Sequence, residues 1–248
     1  MIEAVIFDLD GTLVQTEKLK AISYARAVTD LCPHDVEEKQ VIEAFREVVG
    51  LPRREVAQAL VDKFDLSARA SERMKEFGVS ADWQAFVQIR LQHYGRMLQD
   101  SELILSHEWP HNLAVLEEAR NASCKTALAT MSRCPQAARV LEILKLQDAF
   151  DFIATRDDVE RGKPDPEIYH LVASELRIPS NRCIVLEDSP SGVRAAVAAG
   201  MWCVAVTTPF TKEGVHALGL LEERWIVDDS SRVAGVVRDM IVERQKER

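Results

Sequence analysis

Four places in the 248-residue chain carry side chains able to do chemistry together. Asp8 and Asp10 stand two apart in FDLDGTLV. Two carboxylates at the end of a strand can hold a hard cation, and Mg²⁺ favours a few carboxylates with water and phosphate oxygens. An aspartate can also attack phosphorus and form an aspartyl phosphate. Alone, the pair also reads as an ordinary polar turn. Thr130 and Ser132 follow an apolar run in LATMS, where hydroxyls and backbone amides can hold a phosphoryl group. By itself that segment reads as a polar strand end. Lys163 lies in GKPDPEIY. Pro164 restrains it to extended geometry, and Pro166 suits the first turn of a helix capped by Asp165. A lysine held so could neutralise phosphoryl oxygens and a nucleophilic carboxylate. Glu187 and Asp188 end the run CIVL. Two acids directly after a buried strand are costly unless paired or bound to metal. Ser189 or Asp188 caps the helix that follows, with Pro190 in its first turn, and a cap explains one acid but not both.

These residues must be positioned by regular elements. Ile2 to Phe7 reads as a strand. Further strands are expected at Thr126–Ala129, Asp151–Ala154, Cys183–Leu186, Trp202–Val206 and Trp225–Val227. Helical periodicity fills about 111–122, 135–145, 166–176, 191–199 and 231–245. Strands alternating with helices predict a parallel sheet with right-handed crossovers. From Thr16 to Leu98 the texture is helical throughout. Val41, Ala44, Phe45 and Val48 form one stripe, and Val56, Ala57, Leu60, Val61 and Phe64 form another. Trp83, Phe86, Val87, Arg90 and Leu91 form a third, with Ser80 as its cap. Along 191–200, Val193, Ala196, Val197 and Gly200 predict a small-residue face against the sheet. The fold class is therefore α/β: a Rossmann-like parallel core, 1–15 and 99–248, interrupted by an α-helical bundle, 16–98. In such a sheet the ligand crevice lies beyond the carboxyl ends of the strands. All four polar places converge there. The charged run from Glu243 to Arg248 reads as a solvated helix end.

Composition narrows the partners. Lys and Arg number 31 against 40 Asp and Glu, a formal charge of −9, and the pI is near 5.3. Neither nucleic acid nor an anionic membrane is attracted to such a surface. Five cysteines, Cys32, Cys124, Cys134, Cys183 and Cys203, are an odd number with no CxxC pattern. A disulfide framework or zinc site is not expected, and a reducing, cytoplasmic setting is. Cys183 and Cys203 read as buried, inert thiols. The four tryptophans read as packing residues. No run of about 18 apolar residues occurs.

Taken together, FDLDGTLV, LATMS, GKPDPEIY and VLEDSPSGVRAAVAAGM resemble, in order, the four motifs of the haloacid dehalogenase superfamily. The helical block resembles its α-helical cap. The branch most similar is that of β-phosphoglucomutase and phosphoglycolate phosphatase. The resemblance implies a Mg²⁺-dependent phosphatase acting on a small phosphorylated metabolite, a sugar phosphate or phosphoglycolate. It implies Asp8 as nucleophile and Asp10 as general acid and base. Thr130 and neighbouring amides bind the phosphoryl group, Lys163 stabilises its charge, and Thr12, Met131 and Ser132 contribute to the substrate site. Asp8, the Asp10 carbonyl and Asp188 form the metal site, with Glu187 either ligating the ion or orienting a bound water. The DxD pattern favours phosphatases over dehalogenases. A monomer or weak dimer is expected.

Specificity is expected from the helical block. Gly50-Leu51-Pro52-Arg53-Arg54 falls between two of its helices. Cations at a helix N-terminus oppose its dipole unless an anion joins them. Arg53, with Arg54, is therefore expected to meet a phosphate or carboxylate of the substrate. Lys20 stands where the sugar phosphomutases carry a histidine. A cation there would favour ionised Asp10, whereas the first step needs a proton on it, so Lys20 weighs against a mutase. Arginines rather than a lysine in the helical-block loop weigh against Schiff-base chemistry. A mutase and a non-catalytic binding protein remain the alternatives.

Overall fold

The computed structural model describes residues 1–32, 35–49 and 51–246. Gly50, and the end of the charged tail at 247–248, lie outside them. In chain order the main elements are β1 (Ala4–Phe7), α1 (Thr16–Leu31), α2 (Glu38–Arg46), α3 (Arg53–Lys63), α4 (Ser67–Glu72), α5 (Met74–Phe77), α6 (Asp82–Gln99) and α7 (Ser101–Leu105). Then come α8 (Pro110–Asn121), β2 (Lys125–Ala129), α9 (Cys134–Ile143), β3 (Phe152–Ala154), α10 (Glu167–Leu176), β4 (Cys183–Glu187), α11 (Pro190–Ala198), β5 (Trp202–Val206), α12 (Lys212–Ala217), β6 (Ile226–Val227) and α13 (Val233–Lys246). Two compact units result: Met1–Gln15 with Ile104–Arg248, and Thr16–Leu103.

The first unit is built on a six-stranded sheet in the order β3-β2-β1-β4-β5-β6, parallel throughout. β1, β2 and β4 are almost wholly buried, as expected of parallel strands covered on both faces. Successive side chains alternate between faces. Ala4, Ile6, Ala127, Ala129, Val185 and Ala205 join the α10 and α11 residues Ile168, Val172, Val193 and Ala196 in one core. Their small size lets those helices lie close. Val5, Phe7 and Leu128 point the other way, toward the face where α8 packs on β1 and β2.

Two expectations about this unit are corrected. The sheet-facing side of α11 is Gly192, Val193, Ala195 and Ala196, while Val197 is at the surface. Gly200 ends the helix at φ +71° instead of packing under it. α12, six residues long, escapes sequence periodicity, as does the five-residue α7, which runs from one unit into the other.

The second unit contains no strand among the described residues. Its core gathers Tyr24 of α1 against Phe45 of α2 and Phe86 of α6, at 5.4 and 5.8 Å between rings. Arg90, expected in an apolar stripe, is indeed buried. Its guanidinium stacks 4.9 Å from Tyr24 and 4.6 Å from Tyr94. The cap of α6 is Ala81, not Ser80; the Ser80 amide instead donates to Gln84 Oε1 at 3.0 Å. Val48 and Phe64 fall just past the ends of α2 and α3. Arg53 opens α3 after Pro52 and is exposed, while Arg54 lies 5.6 Å from the Trp83 ring. Lys20 is half-buried in α1, its carbonyl accepting from Ser23 Oγ at 2.6 Å.

All five cysteines are free. Cys183 and Cys203 are buried, and burial pushes the Cys183 thiol up to about 12 and Cys203 well up as well. No helix among the described residues is long and apolar enough to cross a membrane.

Candidate active site at the carboxyl end of the sheet

β1 and β4 are neighbours, and the chain leaves them in opposite lateral directions, toward β2 and toward β5. A crevice opens where such a sheet reverses its order. Asp8 follows β1 and Glu187 ends β4. The Asp8 amide donates to Leu186 O at 3.0 Å, which locks the two strand ends together.

Lys163 reaches this point from the segment before α10. Its Nζ donates to Asp8 Oδ1 at 2.7 Å, to Glu187 Oε1 at 2.6 Å and to the Ala129 carbonyl at 2.8 Å. An ammonium has three protons, and all three are directed at acceptors on β1, β2 and β4. The Tyr169 ring lies 5.1 Å from Nζ, and its hydroxyl donates to Glu187 Oε1 at 2.8 Å. The Lys163–Pro164 peptide is cis. α10 begins one residue later than expected: Pro166 is its cap, and Asp165 still accepts from the Glu167 amide at 3.0 Å.

Glu187 is held on its second oxygen too. Oε2 accepts from the Asp188 and Ser189 amides at 3.0 and 3.2 Å and from Ser189 Oγ at 3.1 Å. Ser189, as expected, caps α11 by accepting from the Gly192 amide at 3.1 Å, with Pro190 following it. A Cβ on Gly192 would collide with the Glu187 carboxylate, and one on Gly11 would collide with that of Asp188. Gly11 also has φ +91°, which disfavours other residues. Both glycines thus make room for carboxylates.

Ser132 and Thr130 face the second aspartate. Ser132 Oγ donates to Asp10 Oδ2 at 2.5 Å and Thr130 Oγ1 does so at 3.4 Å, while the Ser132 amide donates to Thr130 Oγ1 at 3.0 Å. Met131, between them, turns its side chain onto the hydrophobic core and against Gly162. Its backbone amide is what it can offer a ligand. Thr12 is fully buried, its carbonyl accepting from Asn112 Nδ2 at 2.6 Å. The structure therefore brings Asp8, Asp10, Thr130, Ser132, Lys163, Glu187 and Asp188 together. Lys20 and Arg53 belong to the helical unit. Sequence reasoning missed Tyr169 and Asn112. The signal for Asn112 was present, since it occupies an otherwise apolar stripe in α8.

The charge balance explains the titration. Burial pushes the Asp8 carboxyl up to about 8, with Lys163 pulling it down and Glu187 and Asp10 pushing it further up. Burial lowers Lys163, but Asp8 and Glu187 outweigh that and hold it above its usual value. Burial likewise raises Tyr169. Asp8, Glu187 and Asp188 are buried, with ligating oxygens within 4.8 Å of one another. One lysine cannot neutralise three carboxylates, and buried excess charge is costly. A divalent cation with oxygen ligands fits this donor set.

The comparisons agree with this geometry. The family model for haloacid dehalogenase-like hydrolases matches residues 2–200. A phosphorylated carbohydrates phosphatase from Thermotoga maritima is 33% identical over 199 residues, covering 80% of this chain and 82% of that protein. A validoxylamine A 7'-phosphate phosphatase from Streptomyces hygroscopicus subsp. limoneus is 29% identical over 236 residues, covering 91% and 97%. A crystal structure from Thermotoga maritima assigned as a β-phosphoglucomutase superposes with TM-score 0.72 at 29% identity, covering 96% of this chain and 99% of that one. Motif order, sheet topology and these relatives agree: the chain belongs to the haloacid dehalogenase-like hydrolase family, on its phosphatase side.

Proposed function

We propose that this protein is a Mg²⁺-dependent phosphatase of small phosphorylated carbohydrates that works through an aspartyl phosphate. The observation that carries the proposal is Lys163 Nζ bound at once to Asp8 and Glu187, inside a buried carboxylate cluster at the sheet's switch point. The phosphatases among its relatives favour the carbohydrate class.

In this reading an Asp8 oxygen attacks phosphorus as the bond from phosphorus to the leaving oxygen breaks. Asp10 donates a proton to that oxygen. Water then attacks the aspartyl phosphate, Asp10 takes the water's proton, and phosphate leaves with Asp8 regenerated. Ser132, already bonded to Asp10, and Thr130 hold that carboxylate and the phosphoryl group beside the Met131 amide. Asp8, the Asp10 carbonyl, Glu187 and Asp188 would hold the cation, which when bound neutralises phosphoryl oxygens. Lys163 keeps Asp8 oriented and offsets its charge. In the same reading Thr12 belongs to the turn that carries Asp10, and Lys20 and Arg53 are the cations the helical unit offers to an anionic substrate, Arg53 for a second anionic group.

The test is phosphate release from a panel of phosphorylated carbohydrates and phosphoglycolate, with and without Mg²⁺, for the native protein and Asp8→Asn. Mg²⁺-dependent release, lowered at least about 10³-fold in the variant, is expected. Release that survives Asp8→Asn overturns the covalent mechanism. The similarity to a structure assigned as a β-phosphoglucomutase supports a second reading, in which the phosphoryl group returns to the sugar. Turnover that depends on a sugar bisphosphate activator would select it. Lys20 weighs against it.

A further inference from the structure

The buried face of α8 is Asn112, Val115, Leu116 and Ala119. This is an i, i+3, i+4, i+7 stripe, and its first member is an amide. Asn112 is fully buried. Nothing local accounts for it. The cap position belongs to Trp109, and Asn112 stands third in the helix. Packing does not account for it either. Asn112 Oδ1 finds no hydrogen-bond partner among the described residues, and a buried polar atom left unpaired costs stability. A leucine would complete the stripe without that cost.

What Asn112 does do is donate from Nδ2 to the carbonyl of Thr12 at 2.6 Å, across 100 residues of sequence. Thr12 sits two residues past Asp10, in the turn after β1. That turn is closed internally by Gly11 N to Val14 O at 2.7 Å and Leu13 N to Leu9 O at 3.0 Å. It is tied to the start of α8 at three points. Gln15 N donates to His107 O at 2.7 Å, and Trp109 N donates to Leu13 O at 2.9 Å. Those two bonds use backbone groups that any sequence supplies. The third is nearest Asp10, and it alone of the three requires a side-chain donor.

We propose that Asn112 is a positioning residue for Asp10: its amide fixes the Thr12 carbonyl and so sets the direction of the acid and base carboxylate. The role in turnover rests on the reading of Asp10 given above. The stability lost in burying an unpaired Oδ1 is exchanged for a fixed turn.

The experiment is Asn112→Leu, with Asn112→Ala as the smaller replacement if the first fails to fold. Three quantities are read: kcat and KM for the best phosphorylated carbohydrate, Tm, and the position of Asp10 in a crystal structure of the variant. In Asn112→Leu, kcat is expected to fall about tenfold, the worth of one buried hydrogen bond. KM is expected to stay within about twofold, because the carboxylate acts mainly in the transition state. Tm is expected to fall slightly, because the buried Thr12 carbonyl loses its donor, and Asp10 to be displaced. In Asn112→Ala, Tm falls because a cavity is left, but the kcat loss and the displacement are the same. Native kcat in a folded variant overturns the proposal, and so does an undisplaced Asp10. A native protein inactive on every phosphomonoester sinks the phosphatase reading instead, and the crystallographic position of Asp10 still decides whether Asn112 fixes the turn.

Discussion

Two charged clusters sit at the carboxyl end of the same sheet. At the centre, Lys163 bonds Asp8 at 2.7 Å and Glu187 at 2.6 Å, with side chains 3%, 7% and 0% exposed. At the edge, Asp228 after β6 bonds Lys212 at 2.8 Å, His216 at 3.1 Å and Thr207 Oγ1 at 2.8 Å. There Lys212 is 57% exposed and Asp228 37%. The distances are nearly the same, and the consequences are opposite. The edge carboxyl is held down to about 2: burial pushes it up, but Lys212, Thr207 and His216 outweigh that. Asp8, beside an equally close lysine, is pushed up to about 8. Desolvation and neighbouring carboxylates decide the difference, not bond length. Exposed pairs are worth little, whereas a buried charge without its counterion is strongly destabilising.

The comparison breaks most visibly at Lys163. Lys163→Met leaves Asp8 and Glu187 buried without their cation. Loss of about 3–5 kcal/mol in urea unfolding is expected, with phosphatase turnover abolished. A variant as stable as the native protein would mean the central cluster behaves like the exposed one. Gly192→Ala comes next. It changes no charge but places a methyl where the Glu187 carboxylate lies. A loss of about 1–3 kcal/mol, typical of overpacking, should accompany reduced turnover. Calorimetry and phosphate release measure both, and an unaffected Tm would show that Glu187 can move freely.

Asp228→Asn should have the smallest effect, about 1 kcal/mol or less after solvent screening. Its pH dependence is specific. The Asp228 pKa is lowered on folding, so its contribution is present above pH 3.8 and is lost as pH falls toward 2. Hydrogen bonding to Asp228 raises His216 in the folded protein. That contribution is complete below pH 6.5 and fades as pH rises through the folded value. The stability difference between native protein and Asp228→Asn should therefore peak between about pH 4 and 6.5. It should shrink in high salt. A difference flat across pH would remove His216 from the network.

Much of this molecule is legible in its residues. The parallel strands stand out because both their faces are buried, so β1 and β4 read as apolar runs, and a carboxylate right after such a run is anomalous. Asp8 and Glu187 announce themselves that way, and Lys163 does so through the prolines that follow it. Ser80 misled because a serine before a helix is a capping signal in general, yet here α6 starts a residue later with Ala81 at the cap. Val197 misled because periodicity gives a face without saying how wide the sheet beneath it is. Tyr169 and Asn112 were hidden for another reason. Each bonds a group 18 or 100 residues away: nothing local distinguishes Tyr169 from a packing residue, and the amide in the apolar stripe of α8 marks Asn112 as unusual without naming its partner.

The sequence by itself determined the fold class, the order of the motifs and the chemical types that meet at the sheet's edge, because periodicity, turn residues and buried charge are local signals. Only the tertiary structure decided how those charges are shared. It directs three lysine protons at acceptors on or just past three strands, pushes the Asp8 carboxyl up to about 8, and ties the Asp10 turn to α8. These depend on which distant atoms come within about 3 Å of one another, and hydrogen bonding and desolvation are set by that proximity.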